Sequence, residues 1–206
     1  MDRMLASDAK DVSSILTWNT INIRKEDFYM REIELKFKVD NLDVLINKLK
    51  EEQCEISAVK MQNDTIYVQN LDDTESKEGS VWLRVRKEND KIELNYKKQS
   101  KKKMESEEIE FEVSSYELAN QFLKALGYLP WVEVNKKRRY SKYKEYNICI
   151  DEVERLGSFI ELEILVDKDN KEDYELALLE VAKKLGINPD KRINSHYDTM
   201  ISELNN

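Results

Sequence analysis

Glu32-Ile33-Glu34-Leu35-Lys36-Phe37-Lys38-Val39 alternates an ionic side chain with an apolar one at every step. Side chains on a strand point to opposite faces with a period of two, so the segment predicts a strand with one ionic and one apolar face. The ionic face is itself ordered, with two acids followed by two bases.

The rhythm recurs downstream. Val81, Leu83 and Val85 oppose Trp82, Arg84 and Arg86; Ile92, Leu94 and Tyr96 oppose Glu93, Asn95 and Lys97; Ile109, Phe111 and Val113 oppose Glu108, Glu110 and Glu112. Thr65 to Gln69, Val132 to Tyr140, Tyr146 to Asp151 and Phe159 to Leu165 read as further strands, and the run from Ser100 to Lys103 as a loop. Helices are expected between them. Leu42, Leu45, Ile46 and Leu49 share one helical face behind Asp40 or Asn41 as N-cap. A second helix starts near Ser114, with Glu117 completing a capping box, and stops at Gly127. Two more span Tyr174 to Leu185 and Asp190 to Leu204, separated by Gly186 and Pro189.

In an ordinary sheet the ionic faces meet water. Here the charges are dense and come in strand-specific sets, acidic or basic, unlike the mixed signs of a solubilising surface. Helices are also available to cover the apolar faces. A closed sheet with helices outside would turn the ions inward, where opposite charges and a ligand must compensate a cost of several kcal/mol per ion. Periodicity alone leaves both the ionic tunnel and the solvated sheet open.

The chain has 206 residues, enough for one domain with a full core. Charged residues make up 37%, yet their alternation with Ile, Leu, Val and Phe argues for folding rather than disorder. A net charge of -8 argues against a nucleic-acid-binding partner but leaves a local basic cavity open. Cys54 and Cys149 lack metal-type spacing and read as ordinary thiols in a reducing cytoplasm. His196 is the single histidine, which argues against a His-based zinc site or a Ser-His-Asp triad. It reads as a helix-surface or packing residue. Any metal must then be held mainly by carboxylates, which implies a hard ion such as Mg²⁺ or Mn²⁺. No apolar run approaches membrane-spanning length. Residues 1–29 match nothing that follows and are expected to form a poorly ordered N-terminal extension to a domain over 30–206.

Glu32-Ile33-Glu34-Leu35-Lys36 resembles the ExExK signature of the CYTH family, the triphosphate tunnel metalloenzymes. The order of later segments supports it: Asp64-Thr65-Ile66-Tyr67, Leu83-Arg84-Val85-Arg86, Leu94-Asn95-Tyr96-Lys97, Glu108-Ile109-Glu110 and Lys136-Lys137-Arg138-Arg139. The longest match is Asp151-Glu152-Val153-Glu154-Arg155-Leu156-Gly157-Ser158-Phe159-Ile160-Glu161-Leu162-Glu163, similar to the family's DxVexLGxFxEiE segment. Ser195-His196-Tyr197 resembles the Ser-Tyr of its terminal helix, interrupted by His196. The resemblance spans Met30 to about Leu204 and implies an α+β fold, a closed antiparallel eight-stranded β-barrel with helices packed outside.

It also implies roles. Glu32, Glu34, Asp151, Glu161 and Glu163 would hold Mg²⁺ or Mn²⁺. Lys36, Arg84, Arg86, Lys97, Lys136 and Arg138 would grip a triphosphate, with Glu108 and Glu110 positioning these cations or a second metal. Lys36, Arg138 and Asp151 would be catalytic. Either Lys136 with Arg138 or Lys137 with Arg139 would face inward, and the first pair is preferred. Tyr140, Tyr143 and Tyr146 could stack on a base, though packing is the preferred reading.

The leading reading is a class IV adenylate cyclase acting on ATP in the cytoplasm, with a homodimer as a possible assembly. A hydrolase of tripolyphosphate, thiamine triphosphate or a nucleoside triphosphate is the alternative. A non-catalytic polyphosphate- or nucleotide-binding module ranks below both, and a protein-binding scaffold with a solvated sheet ranks lowest.

Overall fold

The structure is a computed structural model that describes residues 30–71, 74, 77–100, 105–167 and 174–205. The expected N-terminal extension, and residues 101–103 of the expected loop, lie outside them. The elements in chain order are β1 (Met30–Val39), α1 (Leu42–Glu51), β2 (Lys60–Val68), β3 (Val81–Glu88), β4 (Lys91–Gln99), β5 (Glu105–Glu112), α2 (Tyr116–Ala125), β6 (Leu129–Tyr143), β7 (Tyr146–Val153), β8 (Gly157–Asp167), α3 (Tyr174–Lys184), β9 (Arg192–Ile193) and α4 (Tyr197–Glu203).

Strands pair antiparallel in the order β5-β4-β3-β2-β6-β7-β8-β1, and β1 returns to β5, closing an eight-stranded barrel. The closing seam is short, with Glu32 opposite Ser106 and Ile33 opposite Glu105. Further along, β1 pairs instead with β9, Lys36 facing Ile193 and Phe37 facing Arg192. The helix expected from Asp190 to Leu204 is therefore broken. A 3-10 turn at Pro189–Lys191 and the β9 pairing take its first half, and α4 keeps the last turns.

The barrel has its oil outside. Ile33, Leu35 and Phe37 point outward with Ile148, Ile150, Ile160 and Leu162, and bury under α1 and α3 through Leu45, Leu49, Leu178 and Ala182. Fully burying each such Leu or Ile contributes about 1.5–3 kcal/mol. Asn41, rather than Asp40, caps α1 by accepting from the Val44 amide at 3.1 Å. Ser115, one residue beyond the expected start, caps α2 by accepting from Leu118. That helix lays Ala119 and Leu123 on Tyr67 and Val85. Tyr143 and Tyr146 belong to the outer core. With the apolar faces satisfied outside, period two sends the ions inside. Helix α4 covers the remaining apolar part of the interior, packing Tyr197 and Ile201 on Val132, Val134, Val153 and Phe159. Among the described residues no helix is long and apolar enough to cross a membrane.

Candidate active site

The inward faces enclose a cavity of about 570 Å³. One wall is built by β1 and β8, which run antiparallel with Glu34 opposite Glu163 and Lys36 opposite Glu161. Glu32, Glu34, Glu161 and Glu163 all line the cavity. Like charges facing each other across a strand pair repel. Burial, followed by repulsion from Glu161, pushes Glu34 up to about 7. Burial with Glu108 and Glu163 drives Glu32 well above the ordinary carboxylate range, and burial with Glu161 raises Glu163.

The facing wall carries the cations. Arg86 forks onto Asp64 through two bonds of 2.7 Å. Arg138 forks onto Asp151 at 2.7 and 2.5 Å and also donates to Glu161. Lys136 lies 3.5 Å from Asp151. Burial raises Asp64, but Arg86 outweighs it and holds the carboxyl below its ordinary range. Glu161 is treated likewise, burial being overcome by Lys36 and Arg138. Bidentate pairs of this kind fix the guanidinium plane as well as its charge.

A third side comes from β4 and β5. Lys97 meets Glu108 at 2.7 Å, and Arg84 lies 3.6 Å from Glu110. Asn95 donates towards both acids at 3.2 and 3.4 Å. Lys36 stands at the junction of the walls, 3.2 Å from both Glu34 and Glu161 and 4.1 Å from the Tyr197 ring centre.

The structure thus brings Glu32, Glu34, Lys36, Arg84, Arg86, Lys97, Glu108, Glu110, Lys136, Arg138, Glu161 and Glu163 to one cavity. Lys136 and Arg138 point inward; Lys137 is exposed and Arg139 pairs outside with Glu152 at 3.1 Å. Asp151 is set apart: it is wholly buried behind Arg138 and Lys136 and does not reach the cavity surface.

Several lining groups carry no assignment from sequence. Trp82 and Asn95 occupy the inward alternation read from the sequence, whereas Asp64 and Ser106 lie ahead of the expected strands, because β2 starts at Lys60 and β5 at Glu105. Of the two sequence readings of His196 the structure keeps packing, its ring 6.4 Å from that of Trp82, and replaces the helix surface by the cavity, which it lines beside Tyr197 and Asp198. Burial and then Lys97 lower His196 to about 4, so it is neutral at pH 7. Trp82 Nε1, Arg84 Nε, Asn95 Oδ1 and Tyr197 Oη are buried, line this same cavity and have no hydrogen-bond partner. Buried polar atoms seldom stay unpaired, so their convergence points to a polar ligand.

The CYTH domain family model matches residues 30–197. The chain belongs to the CYTH family. A provisionally named adenylate cyclase of Methanocaldococcus jannaschii is 32% identical over 171 residues, which cover 82% of this chain and 97% of that protein. A solved Pyrococcus horikoshii protein superposes with a TM-score of 0.71 at 27% identity, covering 82% of this chain and 98% of its own. A Hippeastrum protein described as a provisional adenylyl cyclase with a dominant triphosphatase activity shares the fold, with a TM-score of 0.59 at 16% identity over 85% of this chain and 96% of its own.

The acidic wall of this CYTH barrel fits a divalent cation. Its donors are mainly carboxylate oxygens, the set preferred by Mg²⁺ and Mn²⁺. Ligand atoms of Cys149, Glu161 and Glu163 lie within 4.8 Å of one another. Burial keeps the Cys149 thiol protonated, so the oxygens define the donor set. Burial first, and then repulsion among the neighbouring glutamates, raises the proton affinities of Glu32, Glu34 and Glu163, and a bound cation would relieve both.

Proposed function

We propose that the chain is a metal-dependent enzyme acting on triphosphates inside the barrel, and that its reaction is that of a class IV adenylate cyclase, ATP to cyclic AMP and pyrophosphate. The observation that carries this reading is the facing of an under-neutralised glutamate wall and a cationic wall across one cavity of about 570 Å³. A polyphosphate bridged by divalent cations is complementary to both walls. The cyclase assignment draws on the Methanocaldococcus jannaschii relative, whose match spans nearly its whole length.

Glu32, Glu34, Glu161 and Glu163 would hold Mg²⁺ or Mn²⁺, which supplies charge neutralisation on the phosphate oxygens when bound. Lys36, Arg84, Arg86, Lys97, Lys136 and Arg138 grip the remaining oxygens. Asp151 serves by holding Arg138 and Lys136 aimed into the cavity, and Glu108 and Glu110 do the same for Lys97 and Arg84. In cyclisation the ribose 3′-oxygen bonds to the α-phosphorus as the bond to pyrophosphate breaks, and the hydroxyl proton passes to a carboxylate of the acidic wall. The chain's contribution is positioning and preset charge, which supply most of the acceleration in reactions at phosphorus.

Triphosphate hydrolysis is the second reading, favoured by the dominant triphosphatase activity of the Hippeastrum barrel. Incubation with ATP or tripolyphosphate plus Mg²⁺ or Mn²⁺ separates the two. Cyclic AMP with pyrophosphate, lost in Glu161→Gln, establishes the cyclase. Orthophosphate from tripolyphosphate without cyclic AMP establishes the hydrolase, and no product from either substrate overturns both.

A further inference from the structure

The cavity lining includes Asp64, Arg86 and Arg138 but none of the side chains one inward position beyond them, which form its floor. Asp64, Arg86 and Arg138 lie on three neighbouring strands, β2, β3 and β6, and the next inward positions on those strands are Gln62, Glu88 and Tyr140. These three close on one another. Tyr140 donates to Glu88 at 2.6 Å, while Gln62 donates to Glu88 and, at 2.8 Å, to the Tyr140 hydroxyl. Lys60, its side chain 41% exposed, donates to Glu88 at 2.6 Å from the solvent side. The Tyr140 ring has Lys60 5.0 Å away and Arg138 on the cavity side at 5.9 Å. None of the three lines the cavity, and Gln62 is fully buried. Although burial opposes it, the bonds from Lys60, Tyr140 and Gln62 hold Glu88 down to about 2, so this carboxylate is ionised at neutral pH.

We infer that the Gln62–Glu88–Tyr140 floor is a registration stop: the free end of the phosphate chain halts against it, gripped by Arg86 and Arg138, and this fixes which phosphorus lies at the acidic wall. The inference rests on the proposed triphosphate chemistry. The floor residues touch neither metal nor reacting phosphorus and are positioning residues. One inward position is about 7 Å along a strand, longer than a single phosphoryl unit. Opening the floor therefore lets the chain slide inward by at least one phosphate. The bond broken then lies at least one further from the free end.

The test uses adenosine 5′-tetraphosphate with Mn²⁺ and reads, by phosphorus NMR, the length of the phosphate fragment released from the free end. Wild type is expected to release one fragment length, by attack of water, because a free end held at the stop puts the β-phosphorus where the α-phosphorus of ATP lies. Tyr140→Ala is expected to release a fragment at least one phosphate longer, with the original cleavage slowed about 10²-fold by misplacement. Tyr140→Phe keeps the ring in place and is expected to retain the original fragment. Glu88→Gln keeps the shape, loses the ionic tie to Lys60 and is expected to give both lengths. The same single fragment from wild type, Glu88→Gln and a folded Tyr140→Ala overturns the stop and leaves the triphosphate reading standing. Should Tyr140→Ala not fold, Glu88→Gln alone decides. If wild type cleaves neither ATP nor the tetraphosphate, and neither raises its melting temperature, the triphosphate reading falls and the stop falls with it.

Discussion

Glu34 and Glu161 are equally deep in the barrel, 8% and 4% exposed, and both lie against Lys36. They titrate in opposite directions. Burial raises both, but Glu161 also has Arg138, whose pull with that of Lys36 prevails, whereas Glu34 has Glu161 and Glu163 among its neighbours and rises to about 7. The comparison extends to the walls they belong to. Where β2, β3, β6 and β7 meet, each anion has a cation in bonding contact, so that side is preset before any ligand arrives. The β1 side holds more anions than cations. One half of the interior is built from its own pairs, and the other is left for a cation to complete.

The largest expected effect comes from breaking the self-paired half. Arg138→Ala leaves the wholly buried Asp151 with Lys136 alone, 3.5 Å away, and removes a partner of Glu161. Breaking a buried pair by removing one partner costs about 3–5 kcal/mol, to be read from urea unfolding, and catalysis should disappear with it. A loss below about 1 kcal/mol would show that Lys136 by itself satisfies Asp151.

The incomplete half should declare itself in the pH dependence of the metal-free protein. A carboxyl whose folded pKa is raised binds its proton more tightly when folded, so Glu34 favours the fold at low pH and withdraws that support as pH rises from about 4.5 through about 7. Asp64, Glu88 and Glu161, all lowered, act in the reverse sense and lose support only in stronger acid. His196, lowered to about 4, favours the fold increasingly as pH rises to about 6.5 and opposes Glu34 over that range. With EDTA, melting temperature should therefore fall between pH 6.5 and pH 8, by the equivalent of roughly 1 kcal/mol at about 1.4 kcal/mol per pKa unit. Saturating Mn²⁺ should flatten the profile by binding the ionised wall. A flat profile in EDTA would remove the case for an under-neutralised wall.

Much of this was legible in the sequence because alternation is local. Glu32 to Val39 states its two faces outright, and the sets on β3, β4, β5 and β8 repeat the statement. Which face is inside is not local. It follows from α1, α2 and α3 claiming the apolar sides, and only the resemblance carried that step. His196 was illegible for a similar reason. It reaches the cavity because the two-residue β9 pairs with Lys36 and Phe37 and swings the start of α4 to the barrel, and two residues carry no readable period. Asp151 was legible as a tunnel acid, but its partners Arg138 and Lys136 lie on another strand, so its withdrawal from the cavity surface was not.

The finest form of the comparison lies within one tetrad, Lys136-Lys137-Arg138-Arg139. Its register depends on pairing with β2, which shifts between Ile66 and Tyr67, and on pairing with β7, where Arg138 meets Asp151 and Arg139 meets Ile150. A slip of one residue exchanges the inner and outer pairs. In the observed register Arg139 reaches Glu152 on the outside, at side-chain exposures of 22% and 38%. Solvent-screened pairs of this sort contribute about 0–1 kcal/mol. Arg139→Ala should therefore leave triphosphate binding unchanged and cost at most that much stability, while Arg138→Ala, one residue away, should lose both. Equal losses from the two substitutions would mean that the strand slips between registers, and the cationic wall could then not be called preset.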